Sequence, residues 1–267
     1  MNRDWLNIIN SYLARGIDRG YKRGFDNAFK KNLKFVEPPK LKVRMDYNSI
    51  DLEAIKNFKL EAFTVAGIGS WELEEKLKTV AEKFMRKEID KEDFEFETRK
   101  LMIQYGIGLS NQPPTGWLEA NLDNAVVSSV QAARWNRLSD PVVSKVYPYL
   151  EYRTQRDGRV RDEHRSLDGR TLPKDDPAWR TIYPPNGWNC RCYTVPLTKE
   201  EADEKEITKS TSEQRKEWNA DIDPDFRRNP GMSGSIWGKW LNTKLTEMPA
   251  AELSNLKSLI REYGKNL

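Results

Sequence analysis

At 267 residues, with 37% hydrophobic and 32% charged residues and a net charge of +4, the chain suits one sizeable domain with appendages or two small ones. Nine Trp, ten Tyr and nine Phe set it apart from disordered chains. No run reaches the ~20 apolar residues of a bilayer span, and Asp4, Asn7, Asn10 and Arg15 break up any apolar start, so a soluble protein made in a cytoplasm is expected.

From Met1 to Arg44, eleven Lys or Arg stand against four acids, giving this segment +7. A basic arm suits an anionic partner such as nucleic acid. Arg15, Arg19, Lys22, Arg23, Lys30, Lys31 and Lys34 are its candidate contacts to DNA or a protein partner. Trp5, Ile8, Ile9, Tyr12, Leu13, Tyr21, Phe25 and Phe29 recur at helical steps. Gly16, Gly20 and Gly24 interrupt that pattern at every fourth position, each costing a helix about 1 kcal/mol relative to Ala. Either they let another helix approach closely, or the helix breaks there and the arm flexes; the second reading is favoured. Pro38-Pro39 closes the arm, and residues 1–57 are read as an N-terminal unit.

Helices are then predicted over about Leu52 to Ala62, Trp71 to Lys87 and Lys91 to Tyr105, with Asp90 as an N-cap and Gly106 as a stop. A loop with Gly108 and Pro113-Pro114 precedes a helix from about Leu118 to Arg137, whose Leu122, Ala125, Val126, Ser129 and Ala133 form a narrow seam for close packing. Past Pro148 the period shortens to alternation. Tyr149 to Thr154 and Cys192 to Val195 read as short strands that pair as the edges of a small sheet, with turn signals at Asp157-Gly158, Asp168-Gly169 and Pro184-Pro185-Asn186-Gly187 between them. Thr198 and Glu201 form a capping box, and a last helix runs from about Pro249 to Tyr263, with Gly264 as its stop. The expected fold is α+β and mostly α-helical. Its parts are a core at 58–198, divided into a helical section at 58–137 and a β/turn lobe at 148–198, and a helical tail at 199–267.

His164, Cys190 and Cys192 are the only histidine and the only cysteines in the chain. The cysteines stand one residue apart, a spacing poorly suited to a mutual disulfide and typical of reduced thiols. Together the three could ligate zinc, with Asp162, Asp168 or a water as the fourth ligand. The competing reading makes His164 a hydrogen-bonding turn residue and the thiols small buried hydrophobes. Nearby carboxylates would also suit His164 as a general acid or base, but no serine elbow, phosphate loop or nucleotide fingerprint accompanies it. The lobe's arginines, among them Arg159, Arg161 and Arg191, either contact phosphates or pair with the many aspartates around them.

The run from Pro148 to Cys192 resembles the signature of the Mu F-like minor head proteins, within the wider phage head morphogenesis family. The resemblance is carried by Tyr152, by Asp157, Gly158, Arg159, Arg161 and His164 in DGRVRDEH, and by Leu167, Asp168 and Gly169. It continues through Asp176, Pro177 and Trp179, then Pro184, Pro185, Asn186, Gly187, Trp188, Cys190, Arg191 and Cys192. Phe63 to Gly67 and the helix from Asn121 to Asn136 also fit the family's pattern. The resemblance implies a structural protein of the phage head that is not an enzyme. It implies association with the portal, other capsid proteins and phage DNA, assembly in the bacterial cytoplasm, and action in head assembly or genome delivery. Many members of the wider family have cysteines where this chain has Arg161 and His164, giving them a fuller set of metal ligands; this departure leaves three side-chain ligands here, in the histidine form that Mu-like relatives share. The alternative is a virion-carried nuclease or ADP-ribosyltransferase-like toxin using His164.

Overall fold

The computed structural model describes residues 3–28, 46–106, 116–205, 207 and 209–267, without the side chains of residues 4 and 5. Lys30, Lys31, Lys34, Pro38-Pro39 and the expected loop around Gly108 and Pro113-Pro114 lie outside the described residues. The described chain is mostly helical with one small antiparallel sheet, as the sequence pattern predicts.

Helix α1 (Arg3–Asp26) is continuous, which corrects the favoured reading of a break at its glycines. Its apolar stripe of Ile9, Leu13, Ile17 and Tyr21 is fully buried. The glycines face α4 (Gly116–Leu138). A Cβ at Gly20 would lie 2.6 Å from the Val126 carbonyl oxygen and one at Gly24 2.1 Å from that of Val130, while Gly16 packs on the Leu122 and Val126 side chains. Two backbones thus approach where any side chain would hold them apart, and the burial gained outweighs the helix propensity lost.

Helix α2 (Ser49–Met85) is also unbroken where two helices are expected, and it runs through position 57, where the sequence reading divides arm from core. Gly67 and Gly69 account for the false gap. A Cβ at Gly69 would meet the Trp117 ring at 2.5 Å, and Leu256 packs over Gly67. Helix α3 (Lys91–Gln104) starts at the expected cap, where the Asp90 carboxylate accepts the Asp93 N–H at 2.9 Å, and ends before Gly106, whose φ of 83° is left-handed. A short α5 (Pro141–Val146), capped by Asp140, leads into the lobe.

The sheet has the order β2-β1-β3, with β1 (Tyr149–Arg153) antiparallel to both β2 (Thr171–Pro173) and β3 (Tyr193–Leu197). The two strands read from sequence do pair, but β1 is the centre and not an edge. Strand β2 is only three residues long and ends in proline, too short to show a period. The central place of β1 buries both of its faces, including Glu151, which ion-pairs with Lys205 at 3.0 Å and also with Arg153. A four-residue α6 (Asp162–Arg165) lies between β1 and β2. After the sheet, α7 (Lys199–Asp203) begins at the expected Thr198/Glu201 capping box. Helices α8 (Ser212–Ala220), α9 (Pro230–Ser233), α10 (Lys239–Glu247) and α11 (Ala250–Gly264) follow.

Of the residues read as a tail, those from Ile236 onward pack into the main core, while Trp218, Ile222 and Phe226 pack with the lobe. Trp237 Nε1 donates to Asn121 Oδ1 at 2.9 Å, the Ile236 N–H donates to Glu61 at 2.8 Å, and Tyr263 stacks on Phe63 at 4.3 Å. Leu256 and Leu259 share that core with α1 and α2. Helix α4 connects this body to the lobe. Its buried Arg134 donates to the carbonyls of Asn27 and Thr194, both at 2.8 Å, and Gln131 donates to the Cys192 carbonyl at 3.2 Å. No described helix is long and apolar enough to cross a membrane.

Candidate metal centre

The lobe is built from turns whose side chains bond to backbone, as buried irregular chain requires. Asp168 accepts the Thr154 N–H at 2.7 Å and the Arg156 Nε at 2.8 Å, while the Gly169 N–H donates to the Tyr152 carbonyl. Gly169 has a φ of 82°, which explains a glycine after Asp168. Asp176 caps the 3-10 turn Pro177–Arg180 through the Ala178 N–H and also accepts from the Ser210 N–H, both at 2.8 Å. Trp179 is buried, with Nε1 bonded to the Pro173 carbonyl, beside Leu167 in the lobe's core. Pro184 and Pro185, joined by a cis bond, lead to the buried Asn186 and Gly187. Arg161 lies against Gly187 and donates to the Trp188 carbonyl at 2.8 Å. Trp188 packs edge-on against Phe226 and Trp240. Gly158, by contrast, sits in open space beside Asp157.

These turns bring together three donors from two chain segments. His164 Nδ1 lies 3.8 Å from Cys190 Sγ and 3.7 Å from Cys192 Sγ, all three ligand atoms fall within 4.8 Å of one another, and the residues are 3–4% exposed. Tetrahedral zinc, with Zn–S about 2.3 Å and Zn–N about 2.0–2.1 Å, implies separations of about 3.6–3.8 Å between such atoms. The spacing and the soft donor set therefore fit zinc. Bound there, the ion would hold the α6 turn to the segment before β3 and keep both sulfurs as thiolates.

The thiols are already unlike ordinary ones. Cys190 is held well below the usual thiol range, chiefly by a hydrogen bond from Cys192 and further by His164, against the opposing effect of burial. Cys192 is pushed up by the same bond and by burial. Tyr152 reaches Cys192 through its hydroxyl, which also donates to Asn186 Oδ1 at 2.7 Å. Burial is the main cause raising the Tyr152 phenol.

Neither carboxylate expected as the fourth ligand joins the cluster. Asp168 is engaged by Thr154 and Arg156, and the Asp162 side chain is 99% exposed with Arg165 beside it. Among the described residues, His164, Cys190 and Cys192 are the only group of that kind. The donors border a cleft of about 690 Å³ between α4 and the lobe. Arg159, Arg161 and Arg191 line it, as does Arg23 of α1, whose presence there sequence spacing gives no means of finding. Arg191 forms a two-bond ion pair with Asp157, at 2.7 Å for each bond, which holds the exposed Asp157 carboxyl down to about 2.

Arg15, Arg19, Lys22 and Arg23 are exposed on α1. Arg15 covers the Tyr12 ring at 5.1 Å, and Lys22 pairs with Asp26 at 2.9 Å.

A small sheet beside a buried His-Cys-Cys cluster, docked on a long helix, defines this part of the chain as a turn-built lobe with a candidate metal centre. Residues 113–195, which contain that helix and lobe, match the family described as Phage Mu protein F like protein, and the chain is Mu F-like in this region. The Phe63 to Gly67 stretch lies outside the match. A 53-residue stretch, 20% of this chain and 12% of the relative, is 53% identical to the "Putative capsid assembly protein F" of Escherichia phage Mu. A 73-residue stretch, 27% of this chain and 17% of the relative, is 37% identical to the "Mu-like prophage FluMu F protein" of Haemophilus influenzae. The likeness thus spans less than a fifth of either relative. No solved structure matches the chain.

Proposed function

We propose that this chain is a minor head protein acting in the assembly of a phage capsid, and that it contacts the portal, other capsid proteins and phage DNA in the head. The observation that carries this reading is the Mu F-like lobe itself: the family match falls on this region, and one relative of the chain bears the name of a capsid assembly protein. In this reading the lobe is a zinc-stapled recognition unit built on His164, Cys190 and Cys192. The exposed cations Arg15, Arg19, Lys22 and Arg23 offer DNA a sequence-independent contact whose affinity falls steeply with salt. The protein is made in the host cytoplasm and ends in the virion.

The test is to disrupt this reading frame in the phage genome that carries it and examine particles made with and without the chain supplied in trans. The reading expects the chain in purified heads, and a collapse of infectious titre without it that complementation restores. A normal titre, with the chain missing from complete virions, would overturn it. For the DNA contact, changing Arg15, Arg19, Lys22 and Arg23 to Ala is expected to weaken duplex binding at low salt, measured by fluorescence anisotropy, and to flatten its salt dependence.

A further inference from the structure

Three protein donors leave a four-coordinate ion one position short. The chain has no other histidine or cysteine, and no carboxylate among the described residues joins the cluster. The donors border the 690 Å³ cleft, so an outside ligand has a route to that position. The charge of the lining selects its chemistry. Arg191 is committed to Asp157, but Arg161 gives only one nitrogen to the Trp188 carbonyl. Arg159 is exposed and forms no ion pair among the described residues. Arg23 adds a cation from α1.

The α4 wall carries Glu119 and Asp123. Among the described residues neither acid forms an ion pair with the arginines that line the cleft. An anion would therefore lie toward the lobe wall, where planar guanidinium forks match tetrahedral oxyanions. Resting on the metal reading of His164, Cys190 and Cys192, we propose that the open coordination position takes a phosphate-class oxyanion, held between the ion and the guanidiniums of Arg159 and Arg161.

The experiment uses the full chain loaded with Co²⁺ and titrated with inorganic phosphate, read by the visible absorption of the cobalt. A saturable spectral change is expected, weakened roughly tenfold in Arg159→Ala, the loss of one charge-assisted hydrogen bond. Arg159 is exposed, so the variant is expected to fold and keep one cobalt per chain. Asp123→Asn is expected to tighten phosphate binding. A chain that takes up no cobalt overturns the metal reading and this inference with it. A chain that binds cobalt through thiolate, shown by ligand-to-metal charge transfer, yet gives the same spectrum with and without phosphate overturns this inference alone. Adding a short DNA duplex identifies the source: displacement of phosphate assigns the site to the nucleic-acid backbone, and retention assigns it to free phosphate.

Discussion

The helical body and the lobe are stabilised by different means. In the body, Ile9, Leu13, Ile17, Phe58, Val65 and Ile68 are fully buried, and close helix contact made possible by glycine supplies the rest. Its stability is spread over apolar area, at about 25 cal/mol per Å². The lobe has strands of only three to five residues and is held by individual bonds from Asp168, Asp176, Trp179 and Arg134. It also has an apolar core of its own, with Leu150, Leu172, Trp179 and Tyr183 buried, so single polar groups and a bound ion should control its turns more than its strands. The contrast teaches that apolar area between helices and polar bonds within turns can stabilise different regions of one chain.

The largest effect that sharpens this contrast is in the body. Gly20→Val drives a branched side chain into the Val126 backbone, and a loss of about 3 kcal/mol or more is expected in denaturant unfolding. A near-neutral result would mean that α1 and α4 are not packed as described. In the lobe, Tyr152→Phe removes the hydroxyl that joins Asn186 to Cys192. Outer groups of this kind typically change metal affinity by 10–100-fold, so chelator competition should show a loss of about that size while the body's helical circular dichroism is unchanged. Unaltered affinity would separate Tyr152 from the centre.

Asp176→Ala removes the cap of the 3-10 turn and the tie to Ser210, an expected cost of about 1–2 kcal/mol in thermal melting. Asp176→Asn should recover part of it. The smallest effect belongs to Lys174, whose burial lowers its pKa to about 8. A buried ammonium penalises the fold below that value, and the penalty is relieved as pH rises from about 8 towards the unfolded value near 10.5. Lys174→Met should therefore gain of order 1 kcal/mol at pH 7, discounted for partial exposure, with the gain shrinking above pH 8. A constant difference across that range would assign the effect to packing alone.

Sequence reasoning reached whatever is written in local chemistry. Asp90 capping α3, the Thr198/Glu201 box, the seam on α4 and the strand character of β1 and β3 all follow from residues close in sequence. The soft donors were legible because His164, Cys190 and Cys192 are so few. Features set by distant partners were not. Gly20 looks like a helix breaker until Val126 is seen against it, and Gly69 until Trp117 is. Asp168 looks like a ligand until Thr154 and Arg156 claim its oxygens. The convergence of Arg23 with Arg159 on one cleft depends on the docking of α1 against α4.

On the proposed reading, an ion on His164, Cys190 and Cys192 holds the lobe and not the body. The most direct test expresses the chain without a metal-binding tag, measures bound metal by elemental mass spectrometry, and follows hydrogen exchange with and without a strong chelator. One zinc per chain is expected, absent from Cys192→Ser, and on chelation a loss of protection confined to β1, β3 and α6 while α1 and α2 stay protected. No bound metal, with protection unchanged by the chelator, would contradict it and leave the lobe to packing and ion pairs alone.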